Sequence, residues 1–154
     1  MTAISPGSLL EADMVDRDVV LAKLGQLADH IGRVRSACPA TADQLRADRD
    51  RCDLVAFNLM LAVQDCLDVA SHIIADEGWR AAITLAGAFQ RLGEHGVLTT
   101  ETAVALARAA GLRNVVAHGY AGVDVAFVHQ GATSGLIDLE AFSSQIAVWV
   151  RALG

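Results

Sequence analysis

The chain has 154 residues, 53% of them hydrophobic and 19% charged, with a formal net charge of -6. That length suits one domain, and that apolar fraction is ample for a packed core, which excludes a disordered chain. Residues 1–77 hold 7 Lys+Arg against 13 Asp+Glu, whereas residues 78–154 hold 5 against 5. An acidic protein lacks the broad basic footprint of a duplex-DNA binder.

Residues 1–13 read as a loose tail with Ser5-Pro6-Gly7 as a breaker, and 14–154 as one helical domain. From Met14 to Ala37, Val20, Leu24, Leu27, Ile31 and Val34 recur at three- and four-residue steps, one face of an amphipathic helix. Pro39 ends it, and Thr41 or Asp43 can cap the next. Residues 43–53 form a charge-rich turn set. Residues 54–75 are oily almost all round, as suits a helix in the middle of a bundle. Gly78 stops that helix.

A shorter helix is expected over 81–95, with Gly93 and Gly96 at its end. Thr99 or Thr100 caps another running to Tyr120. A short helical piece is expected over 124–129, a loop over 131–135, and a last helix capped by Asp138. Two prolines and few aromatic residues favour helix over sheet. Short connections between these segments imply antiparallel neighbours, hence an all-α, up-and-down bundle.

Cys38, Cys52 and Cys66 lack metal-ligand spacing and are odd in number, so reduced thiols in a cytoplasmic protein are expected. The first residues lack the basic-then-apolar order of a signal peptide. No uninterrupted apolar run reaches the roughly 18 residues that would span a bilayer, so no membrane is expected. With no His-x-x-x-His and no Gly-rich phosphate loop, neither a metal nor a cofactor is predicted.

The chemistry concentrates in Gly111-Leu112-Arg113-Asn114-Val115-Val116-Ala117-His118-Gly119-Tyr120. From Thr102 to Val123 there is no Asp or Glu, and Arg108, Arg113 and His118 are the only groups that can carry charge. Cations without anions suit a phosphate, and a histidine titrating near neutral pH can move a proton there. At about 100° per residue, Asn114 and His118 are one turn apart, while Arg113 and His118 flank a broad face. Gly111 costs roughly 1 kcal/mol against Ala in a helix, which predicts close approach of another backbone. Either these side chains cap and solvate a helix end, or they form a site. Asp68 and His72 share a face four residues apart, as a bonded core pair or as support for the pocket, and Gln64 and Asp65 read the same way. His30, His95 and His129 carry no assigned role.

This motif resembles the signature of HEPN-domain proteins, specifically the HepT-like ribonuclease toxins. Residues 16–20, 61–75 and 88–92 are similar to other family segments, in order, so that the resemblance covers residues 14–152. It implies a helical bundle forming a two-fold dimer with the two motifs facing each other across a cleft. It implies metal-independent endoribonuclease activity on RNA, with Arg113 and His118 catalytic and Asn114 and Asp68 supporting. It also implies a partner, an MntA-like nucleotidyltransferase antitoxin that transfers AMP onto the motif tyrosine, which maps to Tyr120. Gly119 departs from the acidic residue often found between His and Tyr. The alternatives are a non-catalytic nucleotide- or RNA-binding HEPN module and a helical adaptor subunit.

Overall fold

A computed structural model describes the backbone of residues 6–118 and 124–153, and the side chains of residues 16–117 and 124–153. Its helices are α1 (Pro6–Ala37), α2 (Ala42–Arg46), α3 (Arg49–Asp76), α4 (Leu85–Glu94), α5 (Thr100–His118), α6 (Val125–Ala132) and α7 (Ser134–Ala152). No strand occurs among the described residues. The protein is an all-α bundle, as its sequence predicts.

The expected stripe of α1 is the face that packs: Val20, Leu24, Leu27, Ile31 and Val34 are all buried. The helix begins at Pro6 rather than at Met14. A proline is well placed at the first helical position, where its missing N–H has no intrahelical partner to lose. In α3 the buried residues cover a broad face that touches each of the other six helices, but Leu54 and Phe57 are exposed, so the helix is not buried all round as its oily sequence suggests. By length and composition α3 could cross a membrane, but 61% of its most apolar window is buried inside the bundle. Asp65 and Asp68 interrupt that window, and both are paired to α1.

Local chemistry sets the helix ends. Thr41 caps α2 through a reciprocal box: its Oγ1 accepts from the Gln44 N–H at 3.2 Å, and the Gln44 Oε1 accepts from the Thr41 N–H at 3.1 Å. Asp48 then caps α3, accepting from the Arg51 N–H at 3.1 Å. So the charge-rich stretch is one short helix and the first turn of the long one. Gly78 follows α3 with φ +70, a backbone state that favours glycine.

Three further boundaries differ from the sequence expectation. Helix α4 starts at Leu85 rather than Ala81, because Thr84 takes the cap and accepts from the Gly87 N–H at 3.0 Å. Helix α6 runs on to Ala132, so Gly131 is helical and not part of a loop. A Cβ at Gly131 would stand 2.8 Å from Leu59 Cδ2 and 3.2 Å from Leu112 Cδ2. That glycine lets α6 lie close against α3 and α5. Finally, α7 starts at Ser134, which puts Asp138 inside the helix rather than at its cap.

Helix α5, which carries the motif, is tied down at its start. Thr99 Oγ1 accepts from the Thr102 N–H at 3.2 Å. Gln145 of α7 accepts from the Thr99 N–H at 2.9 Å and donates to Thr102 Oγ1 at 2.8 Å. Against α4 the approach is closer still, since a Cβ on Gly93 would lie 2.9 Å from Ala103 Cβ.

Candidate active site

Arg113 lies on α5, five positions before His118, the last residue of the described helix. It is half-buried, and its guanidinium is held from two sides. Its Nε donates to Gln64 Oε1 on α3 at 2.9 Å. Its Nη1 donates to Asn114 Oδ1 at 3.2 Å. Both acceptors are neutral amides, and no ion pair to Arg113 occurs among the described residues.

The hold extends to a third helix. Gln64 Nε2 donates to Asp68 Oδ1 at 2.9 Å. The other carboxylate oxygen of Asp68, Oδ2, accepts from Lys23 Nζ of α1 at 3.1 Å. Lys23, Asp68, Gln64, Arg113 and Asn114 thus form one continuous chain of hydrogen bonds. Asp68 joins the cluster through Gln64. Lys23 carries no motif, although it is the only lysine of the chain. Gln64 is visible only as a polar residue one turn from Asp68 on an oily helix.

Asp68 does not pair with His72, although the two share a helix face. His72 instead turns to the start of α1, with Nε2 3.7 Å from Asp16 Oδ1. Nearby, the Asp76 carboxyl is pushed up to about 6, chiefly by a hydrogen bond with Asp16, then by burial and by repulsion from that carboxylate. These groups sit around a separate cavity of about 140 Å³ with Arg17, Glu77 and Trp149. Asp65 bonds across to α1, with Oδ2 2.5 Å from His30 Nδ1. The Asp65 carboxyl is raised, because burial pushes it up by more than the bond and charge of His30 lower it. His30 therefore has a packing role. His95 stacks flat on Trp79 with centroids 3.8 Å apart, and the His129 ring Nε2 lies 2.9 Å from Pro39 O.

Arg113 stands on a ridge between two grooves. One, of about 730 Å³, runs past Asn114, Ser71, Trp79, Ile83 and Leu85. The other, of about 540 Å³, runs past Gln64, Phe57, Met60, Leu61 and Val116. Arg108 is not part of this cluster. It lines a different cavity of about 280 Å³, between α5, α6 and α7, with Phe127 and Gln130. Gly111 is exposed, and a Cβ there would meet nothing within 4 Å, so among the described residues no other backbone makes the close approach that its sequence position suggests. The side chain of His118 and all of Tyr120 lie outside the described residues. Among the described residues, no group of three His, Cys, Asp or Glu is arranged to hold a metal ion.

The arrangement offers an oriented guanidinium with no ion pair among the described residues, five residues before a histidine, at the lip of open grooves, one of which Asp53 also lines. Known proteins share this architecture. A family model described as HepT-like, ribonuclease HepT-like, matches residues 27–146. The mRNA nuclease HepT of Shewanella oneidensis is 24% identical over 125 residues, spanning 81% of this chain and 93% of that protein. A solved toxin–antitoxin structure with AMP-PNP superposes with a TM-score of 0.79 at 23% identity, covering 85% of this chain and 98% of that one. The tri-AMPylated Shewanella oneidensis HEPN toxin, solved in complex with MNT antitoxin, gives a TM-score of 0.78 at 24% identity, with 85% and 98% covered. With the family model spanning most of its length, the chain belongs to the HepT-like ribonuclease family.

Proposed function

We propose that this protein is an endoribonuclease toxin that cuts RNA without a metal, and that an MntA-like nucleotidyltransferase antitoxin neutralises it. The observation that carries the reading is the Arg113 guanidinium, fixed by two neutral amides and left with its full positive charge. A guanidinium so prepared is matched to a phosphodiester, whose oxygens accept its remaining N–H groups.

In the reaction, His118 removes the proton from a ribose 2′-hydroxyl. The 2′-oxygen attacks the adjacent phosphorus, and the bond from phosphorus to the 5′-oxygen breaks. The leaving 5′-oxygen takes up a proton, and the product ends in a 2′,3′-cyclic phosphate. Arg113 stabilises the charge that builds on the phosphoryl oxygens, and Asn114 orients the site. Two proton transfers are needed, and a two-fold dimer would supply a second His118 for the second one.

Tyr120 lies two residues beyond His118 and is the proposed site of AMPylation. Its hydroxyl oxygen attacks the α-phosphorus of ATP, held by the antitoxin, and pyrophosphate leaves. The added phosphate places negative charge where RNA phosphate must sit. The Shewanella oneidensis relatives support this reading, one as an mRNA nuclease and one as a tri-AMPylated toxin in complex with MNT antitoxin.

The test uses the purified protein on a single-stranded RNA oligonucleotide. Cleavage is expected with excess chelator present, and it is expected to vanish for the 2′-deoxy strand. His118→Ala is expected to abolish cutting while the helical circular-dichroism signal stays unchanged. A His118→Ala protein that cuts at the normal rate would refute the mechanism. Loss of activity in chelator would show that a metal is required.

A further inference from the structure

We propose that Lys23 is a positioning residue for Arg113, acting through Asp68 and Gln64. The inference rests on the ribonuclease reading above and adds to it a control of site charge from α1. A glutamine amide has two ends, and only its oxygen can accept from the Arg113 Nε–H. At Gln64 the orientation is decided by Asp68. As an ionised carboxylate, Asp68 can only accept, so the Gln64 NH₂ must turn toward it. That leaves Oε1 for Arg113. One carboxylate therefore sets which face of an amide the guanidinium meets.

The carboxylate is also a hazard. An anion one amide away from the guanidinium would compete with RNA phosphate for it. Lys23 removes that competition, because its ammonium takes Asp68 Oδ2 at 3.1 Å. The side chains of Lys23 and Asp68 are 34% and 39% exposed, so the pair is partly sheltered from solvent screening. Asp68 can then act as a hydrogen-bond acceptor toward Gln64 while its charge is offset by α1. Gln64, being neutral, passes the orientation to Arg113 without passing on the charge. A glutamate at that position could still accept from the guanidinium, but it would cancel its charge and offer Asp68 no donor.

The experiment compares three variants of the full chain on the same single-stranded RNA oligonucleotide. Lys23→Met leaves Asp68 uncompensated, and KM is expected to rise about tenfold, a change of 1.4 kcal/mol in phosphate binding. Adding Asp68→Asn to Lys23→Met removes both charges but keeps an amide oxygen to accept from Gln64. That double variant is expected to return KM to within a few-fold of the parent, a rescue that a merely structural role for Lys23 would not give. Gln64→Glu is expected to raise KM, because it sets a carboxylate against Arg113 and removes the donor to Asp68.

A readout independent of cleavage is the Arg113 Nε–H resonance in ¹⁵N-arginine-labelled protein. Its protection from solvent exchange is expected in the parent, lost in Gln64→Ala, reduced in Lys23→Met, where the uncompensated Asp68 carboxylate draws the guanidinium off Gln64, and restored in the Lys23→Met, Asp68→Asn double variant. Unchanged KM and unchanged protection in Lys23→Met would overturn the proposal. So would a double variant no better than the single one. If the parent protein cuts no RNA but the resonance follows this pattern, the ribonuclease reading fails and the positioning chain stands.

Discussion

Arg113 and Gln64 are 49 residues apart in the chain, yet the guanidinium Nε meets the amide Oε1 at 2.9 Å. The contact joins the motif helix to the core helix. It fixes the arginine by its one N–H that points along the side chain. The terminal nitrogens remain to meet a ligand, apart from the bond to Asn114.

Arg113→Lys tests that geometry. Lysine keeps the charge but has no Nε–H at the right place and no planar fork. Cleavage of a single-stranded RNA oligonucleotide is expected to fall about 100-fold in kcat, the usual cost of losing one oriented donor to a developing oxyanion. The unfolding midpoint in urea is expected to stay unchanged. A lysine variant with parent-like kcat would show that charge alone suffices.

Gly93→Ala probes the crossing of α4 and α5. The new Cβ would lie 2.9 Å from Ala103 Cβ, and neither atom can rotate away. Separating the helices costs roughly 1–3 kcal/mol. Better helix propensity returns about 1 kcal/mol. A net loss of about 1 kcal/mol is expected in a urea titration, whereas net stabilisation would mean that the helices separate without cost.

Asp76→Asn tests the carboxyl pair between α1 and the end of α3. Asp76 is raised to about 6 from an ordinary value near 3.8, so the folded protein holds a proton that the unfolded chain has lost. Its contribution is fully present below the ordinary value and disappears as pH rises toward 6. The parent is therefore expected to lose stability from this group as pH climbs from 3.8 to 6. In Asp76→Asn that decline is expected to flatten, measured as the thermal midpoint against pH. Identical slopes in both proteins would exclude the linkage.

Tyr120→Phe separates modification from catalysis. Co-expression with an MntA-like nucleotidyltransferase is expected to add AMP-sized mass increments to the parent protein and none to the variant. Increments that persist in Tyr120→Phe would move the modification to another residue.

Much of the fold is legible in the sequence because burial follows spacing. The five apolar positions of α1 and most of the apolar positions of α3 end up in the core, while Leu54 and Phe57 of α3 stay exposed. The junction of α6 and α7 is not legible. Gly131, Thr133 and Gly135 read as loop residues, yet Gly131 is small because Leu59 and Leu112 press against it. That pressure comes from helices far away in sequence. The site divides in the same way. Arg113 and Asn114 announce themselves through a motif on one helix. Lys23 and Gln64 do not, because their roles exist only when three helices meet. Asp68 and His72 show the converse: correct spacing on one face, with partners drawn from elsewhere.

Because α3 touches every other helix, no part of the bundle can open far without disturbing it. Its central amides are therefore expected to exchange with solvent only when the whole molecule unfolds. Gln64 and Asp68 sit on that segment. The groups that aim Arg113 are thus anchored in the slowest-exchanging part of the protein, and thermal fluctuation of the outer helices reaches them last.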